Sequence, residues 1–477
     1  TLPSYSSDLD PLENPVPPTT PGPGINAANT LVVRALNDGQ IYAFSIAGSA
    51  PGGSSGNASQ EETDDPLDGV SLPILFEDVA PSRGPPASGN GIGIAGAVGI
   101  NLISDTTLAY LSTPATVAAT DLTVEADNKT WLLSLTGGAV LARPSGDGAA
   151  SSSSAIAGAF SLVIINQTTR ALVFGPNLDV TGDMTVRAGR DGFAITLSIG
   201  AAGNFTGGKT TIAGNISVNV LTSTTEALVD TVSGAIRGDL SISATDEIEL
   251  IAIGGGVAVG GKTGIGASVG ANVIDADVVA ALQSEHAATS AADDTDVTVD
   301  GAVSVVATND KTLRSVSVAA AGTNGTAVAF TISINIILGD TTASIDDVTL
   351  AGRIVEDVSL GPDSVEVRAN DDSNLQAIGG SLGIGLGGNG FGGALGWNQV
   401  TTNTKAWIEN STITGVTGTV DVIAESTETD AILDGKILSL SVGAAGSSTT
   451  AAGGGLSINV VTSVVEATIK SSTVTAA

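Results

Sequence analysis

The chain has no cysteine, so neither a disulfide framework nor a thiolate metal site exists. Export is still compatible with this, because a long repetitive protein gains rigidity by stacking one unit on the next. Histidine occurs once, as His286 in a polar stretch, and no GxSxG, HExxH or Walker-type GxxxxGK[ST] accompanies it. The chain is therefore read as a non-enzyme. Lys and Arg total 17 against 49 Asp and Glu, a formal charge of −32. Such a surface repels phosphate backbones and anionic headgroups, which excludes nucleic acid as a partner and favours cations or the chain's own kind. No run of 18 apolar residues free of breaks appears, so no transmembrane helix is expected. No basic segment followed by an apolar one opens the sequence, so an export signal is either removed or lies outside it.

What is abundant is glycine, 62 residues of 477, in a chain only 3% aromatic and 14% charged. Small and β-branched apolar residues in that proportion favour sheet with close backbone packing. The pattern repeats. An asparagine within an apolar strand is followed eight places later by alanine, as Asn101/Ala109, Asn219/Ala227, Asn272/Ala280, Asn335/Ala343, Asn398/Ala406 and Asn459/Ala467. With Val163 in the asparagine position of the second unit, the spacings are 62, 56, 53, 63, 63 and 61. A second anchor runs through DLTVEA (121–126), DMTVRA (183–188), DLSISA (239–244), AVSVVA (302–307), SVEVRA (364–369) and TVDVIA (419–424). Its period-two alternation predicts a strand with one dry and one largely wet face.

A third element joins the units through glycine, as in IAIGGGVAVGGKTGIGASVGANV (251–273). It reads as two strands about a Gly-rich turn, a Gly/Ala-rich hairpin small or apolar on both faces. The segments divide as follows: 1–29 a Pro-rich extended arm, 30–50 a partial repeat, 51–90 a Gly/Ser/Pro/acidic surface insertion, 91–450 six tandem repeats, and 451–477 a second partial repeat. About ten extra residues in the units of Asn272 and Asn335 are assigned to polar connections. A repeat of sixty residues forms either two coils or one coil with a hairpin folded in.

In a stack of equivalent strands, like side chains lie above one another at roughly 4.8 Å. Asn101, Asn219, Asn272, Asn335, Asn398 and Asn459 are expected to form a ladder that fixes register between repeats. Neighbours such as Val218/Val220, Ile334/Ile336 and Ile458/Val460 are assigned to the dry layer on the opposite face. After each second-anchor alanine a polar turn with an acid is expected, at Asp38, Asp127, Asp191, Asp246, Asp310, Asp371/Asp372 and Glu428. Stacked, these acids form a column of like charge that solvent or a cation must screen. Oxygen ligands without thiolates point to calcium, with Asp293, Asp294, Asp296, Asp300, Asp371 and Asp372 as its candidate ligands. The alternative is a solvated acidic edge that prevents lateral sticking.

Phrases such as GIAGAVGINLISDTTLAYL (93–111), followed by DLTVEA, resemble the repeats of leukotoxin-type filamentous adhesins and similar giant bacterial surface proteins, over 30–50 and 91–477. The resemblance implies export to the bacterial cell surface, a long parallel-stacked architecture, and a role in adhesion or an extracellular fibre, with a glycan or cell-surface partner. Val163 departs from the pattern and interrupts the ladder at its rung. The reading is an all-β, elongated β-solenoid acting as a structural segment that pairs with its own kind end to end. Two alternatives stay open: a calcium-dependent binding module, and a β-helix acting on polysaccharide through clustered acids.

Overall fold

The computed structural model describes residues 24–49, 92–142, 154–205, 209–284, 295–355, 358–360, 362–427 and 437–476. All of the regular structure in these residues is strand, and all but one short antiparallel pair belongs to three parallel sheets that stack coil upon coil as a β-solenoid. Each repeat makes one coil. Its first long strand, such as Thr210–Asp230, belongs to a back sheet; a four- or five-residue strand such as Ser233–Ile236 turns the corner; a second long strand, such as Leu240–Gly260, belongs to a front sheet. A Gly-rich reversal then leads to the back sheet of the next coil, at Thr263–Gln283. Most long strands have 21 residues, roughly 70 Å at ~3.3 Å per residue, so the coil is a flattened loop with two broad faces and one narrow edge. The narrow edge begins at Ile25–Asn26, inside the segment read as an extended arm.

Register follows the repeat. Asn101, Val163, Asn219, Asn272, Asn335, Asn398 and Asn459 are successive partners across the back sheet. Ala35, Ala126, Ala188, Ala244, Ala307, Ala369 and Ala424 are successive partners across the front sheet. Eight is an even number, so Asn219 and Ala227 point to one face, and that face is the interior. Beside the narrow edge the two alanine columns close on an apolar core with Leu122, Val124, Val186 and Ile242, all buried. A second apolar layer, with Leu132, Leu250, Ile274 and Ile337, lies farther along the strands. Toward the Gly-rich reversals the interior narrows mainly to alanine, serine, threonine and glycine. There the sheets meet backbone to backbone: a Cβ at Gly138 would lie 2.2 Å from the Gly158 carbonyl oxygen, and one at Gly256 would lie 2.1 Å from that of Ala267. Ordinary stacked sheets sit ~10 Å apart, a spacing that any larger side chain here would begin to impose.

Three expectations need correction. The acids after each second-anchor alanine do not sit in turns, because the front strands run straight through them, as Leu122–Ala142 does. The alternation continues, but its polarity changes: the inward side becomes polar for two positions before turning apolar again. Second, the valines and isoleucines flanking the ladder asparagines form no dry layer. Ile334 is 37% exposed on the outside of the back sheet, while Asn335 is fully buried. Third, the limbs of each Gly/Ala-rich hairpin exchange no ladder hydrogen bonds; each pairs with its counterparts in the coils above and below, and they face each other across the interior. The insertion 51–90, His286 and Glu428 lie outside the described residues. The extra residues of the Asn335 unit include a small antiparallel pair, 353–355 with 358–360, beside the narrow edge.

Candidate functional site: the asparagine column and the buried polar layer

The back sheet carries the asparagines on its inner face, and successive side chains hydrogen-bond along the stack. Asn219 Nδ2 donates to Asn272 Oδ1 at 2.7 Å, Asn272 to Asn335 at 2.8 Å, Asn335 to Asn398 at 2.9 Å and Asn398 to Asn459 at 2.8 Å. Every donor points the same way along the stack. The column breaks at Val163, and Asn101 donates instead to Ser134 Oγ on the front sheet at 2.9 Å. On the other side of the break Asn219 Oδ1 is buried without a hydrogen-bond partner. A buried unpaired acceptor costs about 1–3 kcal/mol. Val163→Asn supplies the missing donor, so this substitution of a fully buried valine is expected to raise stability by about 1 kcal/mol, read as a higher urea midpoint. An isosteric Val163→Thr, which cannot reach the next rung, is expected to show no such gain.

Between the two apolar layers lies a buried layer of charge. Arg190 donates through Nε and Nη2 to Gln167 Oε1, at 2.8 and 2.6 Å, and through Nη1 to Asp246 Oδ1 at 2.9 Å. Asp246 also accepts from Thr225 Oγ1 at 2.9 Å. The Arg190 and Asp246 side chains are 1% and 0% exposed. Gly192 makes room for this: it faces inward two places on, and a Cβ there would strike the guanidinium. Two coils farther along, Lys311 pairs with Asp371, both fully buried, and Asp371 also accepts from Ser373 Oγ at 2.9 Å. Each pair joins one coil to the next, so the charges lock coil to coil as the asparagines do.

The acids proposed as cation ligands do not converge. Asp296 is exposed on the narrow edge and Asp300 sits at its corner. Asp371 and Asp372 are consecutive in a strand and point to opposite faces, and Asp371 is committed to Lys311. Asp293 and Asp294 lie outside the described residues. Among the described residues no three His, Cys, Asp or Glu side chains are grouped to hold a metal ion. The expected column of like charge is also mixed: Asp38, Lys129, Asp191, Glu247, Asp310 and Asp372 share one outer register, whereas Asp246 and Asp371 share the inner one with Arg190. On the outer back sheet burial, reinforced by Asp277, holds the Asp275 carboxyl above its ordinary range.

Many of the surface ion pairs also connect successive coils. Arg34 and Arg187 flank Glu125 at 2.5 and 3.0 Å, Arg170 meets Glu226 at 2.5 Å, and Lys470 meets Glu409 at 2.6 Å. Bonds from Arg34 and Arg187 hold the Glu125 carboxyl below its usual value against the opposing effect of burial. Arg190, Lys311 and Gln167 escaped the sequence reading, which named Asp246 only as the acid of a turn. The available signal was their even spacing from the anchors: Arg190 stands two places beyond Ala188 and Lys311 four beyond Ala307, hence inward if the strand continues. The described interior beside them is filled by side chains. No family model, curated protein or solved structure matches the chain.

Proposed function

We propose that the chain is a structural segment of a secreted bacterial surface adhesin or extracellular fibre, extended by stacking further coils of the same kind on its open ends. The observation that supports this is the uninterrupted parallel register, with front strands unpaired beyond Leu31–Ser49 on one side and back strands unpaired beyond Ala451–Lys470 on the other. These edges present strand backbone and, at Asn459, an exposed ladder rung ready to meet another. A second copy of the chain supplies the next coil. The cell-surface location and the adhesive role rest on the resemblance of the repeats. Light scattering on purified protein is expected to show mass growing with concentration, and electron micrographs to show rods with a ~4.8 Å repeat along their axis. A chain that stays monomeric at high concentration would overturn the proposal.

A further inference from the structure

The outer faces of both long sheets are divided at one height. On the narrow-edge side of that line they carry acids and their basic partners; on the side of the Gly-rich reversals they are aliphatic and aromatic. In the back sheet, 92–103, 154–165, 210–221, 263–274, 326–337, 390–400 and 451–461 contain no charged residue. In the front sheet, 131–142, 193–204, 250–260, 313–323, 375–385 and 437–447 contain one, Arg314. Past the second apolar layer most side chains directed inward are small, and large ones line the outside: Ile216 is 46% exposed, Phe330 43%, Val318 47% and Leu382 43%. Each apolar face measures roughly 35 Å along the strands and roughly 30 Å across seven rungs, about 1,000 Å². Monomeric soluble proteins rarely expose contiguous patches beyond a few hundred Å².

We infer that this half of the slab enters the acyl layer of a lipid bilayer. The geometry that carries this is planar. The Asn101–Ser134 bond sets the two sheets against each other, and with that alignment the charges stop at the same height on both faces, near Asp275 on the back and Glu249 on the front. Trp131 and Phe193 stack on the front face at that margin, with Tyr42 against Trp131, where membrane strands carry their aromatic girdle. Beyond the apolar band the described reversals carry Lys209, Lys262, Asn324 and Asn389 beside the exposed Phe205 and Leu386. A second copy seated on one face would leave the opposite face in water, whereas a fluid apolar layer covers both faces at once. The band height is close to the ~30 Å of a hydrocarbon core. Inside the band the parallel ladders satisfy the backbone of interior strands, and the open edges, costly in hydrocarbon, are those that added coils cover.

The tryptophans make the test. Trp397 faces out within the band, and Trp407 faces out on the same strand, roughly 33 Å away in the polar half. Single-tryptophan proteins W131F/W407F and W131F/W397F are mixed with zwitterionic phosphatidylcholine vesicles whose acyl chains carry bromine. Flotation with the vesicles and a several-fold quenching of Trp397, with Trp407 unchanged, is the expected result. Phe330→Asp with Ile216→Asp, both on the outer surface, is expected to abolish flotation with an unchanged circular dichroism spectrum. Failure to float, or equal quenching of both tryptophans, overturns the inference. Association through these faces without quenching also overturns it and assigns them to a second copy. Light scattering without vesicles reads end-to-end stacking separately.

Discussion

Replacing Arg190 by methionine is expected to cost about 3–5 kcal/mol, the usual penalty for leaving a buried carboxylate without its partner. Asp246 keeps only Thr225, and Gln167 Oε1 loses both of its guanidinium donors. The companion Arg190→Met/Asp246→Leu removes both charges and is expected to recover at least half of the loss, because well-packed apolar replacements of buried pairs are often close to neutral. Repeat proteins unfold in part as a chain of neighbour interactions, so the effect is local. Hydrogen exchange is therefore expected to speed up in Met184–Asn204 and Leu240–Gly260, and much less in Val365–Gly385. Equal instability in the single and double variants would show that the pair does not join these coils.

The second large effect belongs to the middle of the asparagine column. Asn272→Leu removes two buried bonds at once: Asn219 Nδ2 loses the Oδ1 to which it donates, and Asn335 Oδ1 loses the Nδ2 from which it accepts. At about 1–3 kcal/mol for each unsatisfied group, offset by the apolar burial gained and by the Ser217 contact left to Asn219, the net cost is about 2–4 kcal/mol. Asn101→Leu is the control. It breaks a single bond to Ser134 at a half-buried position and is expected to cost about 1 kcal/mol. The urea midpoints of the two variants check the difference, and equal losses would mean that the column adds nothing beyond local packing.

The repeat, its register and the break at Val163 were legible because identical residue types recur at fixed places, and stacking makes them neighbours. Period-two alternation also placed Leu122, Val124 and Ala126 on a dry face. The length of the strands was not legible. Asp127 and Asn128, or Arg190 and Asp191, look like turn residues because polarity usually marks where a strand leaves the core. Here the core is interrupted by a polar layer, so the strand continues while the hydrophobic pattern lapses. The same assumption assigned Val218 and Val220 to a dry layer on the face opposite Asn219, whereas Asn219 is the buried one. The interior beyond the second apolar layer is narrow, since glycine and alanine bring the sheets into backbone contact at several places, and most of the large residues are turned outward. The four-residue strands of the narrow edge, such as Asn177–Val180, are too short for any periodicity to show.

Because the chain lacks cysteine, paired cysteines can report which residues are neighbours across coils. Thr185 and Ser241 are 56 positions apart in sequence and directly opposed in the front sheet. One coil per repeat, with like side chains meeting like, requires Thr185→Cys/Ser241→Cys to oxidise readily to an intramolecular disulfide, whose Cα separation suits adjacent strands. Thr185→Cys/Ser243→Cys, displaced by two residues and on the order of 8 Å apart, is predicted to stay reduced under the same conditions. A disulfide that formed in the displaced pair and not in the opposed one would contradict the register on which the whole account stands.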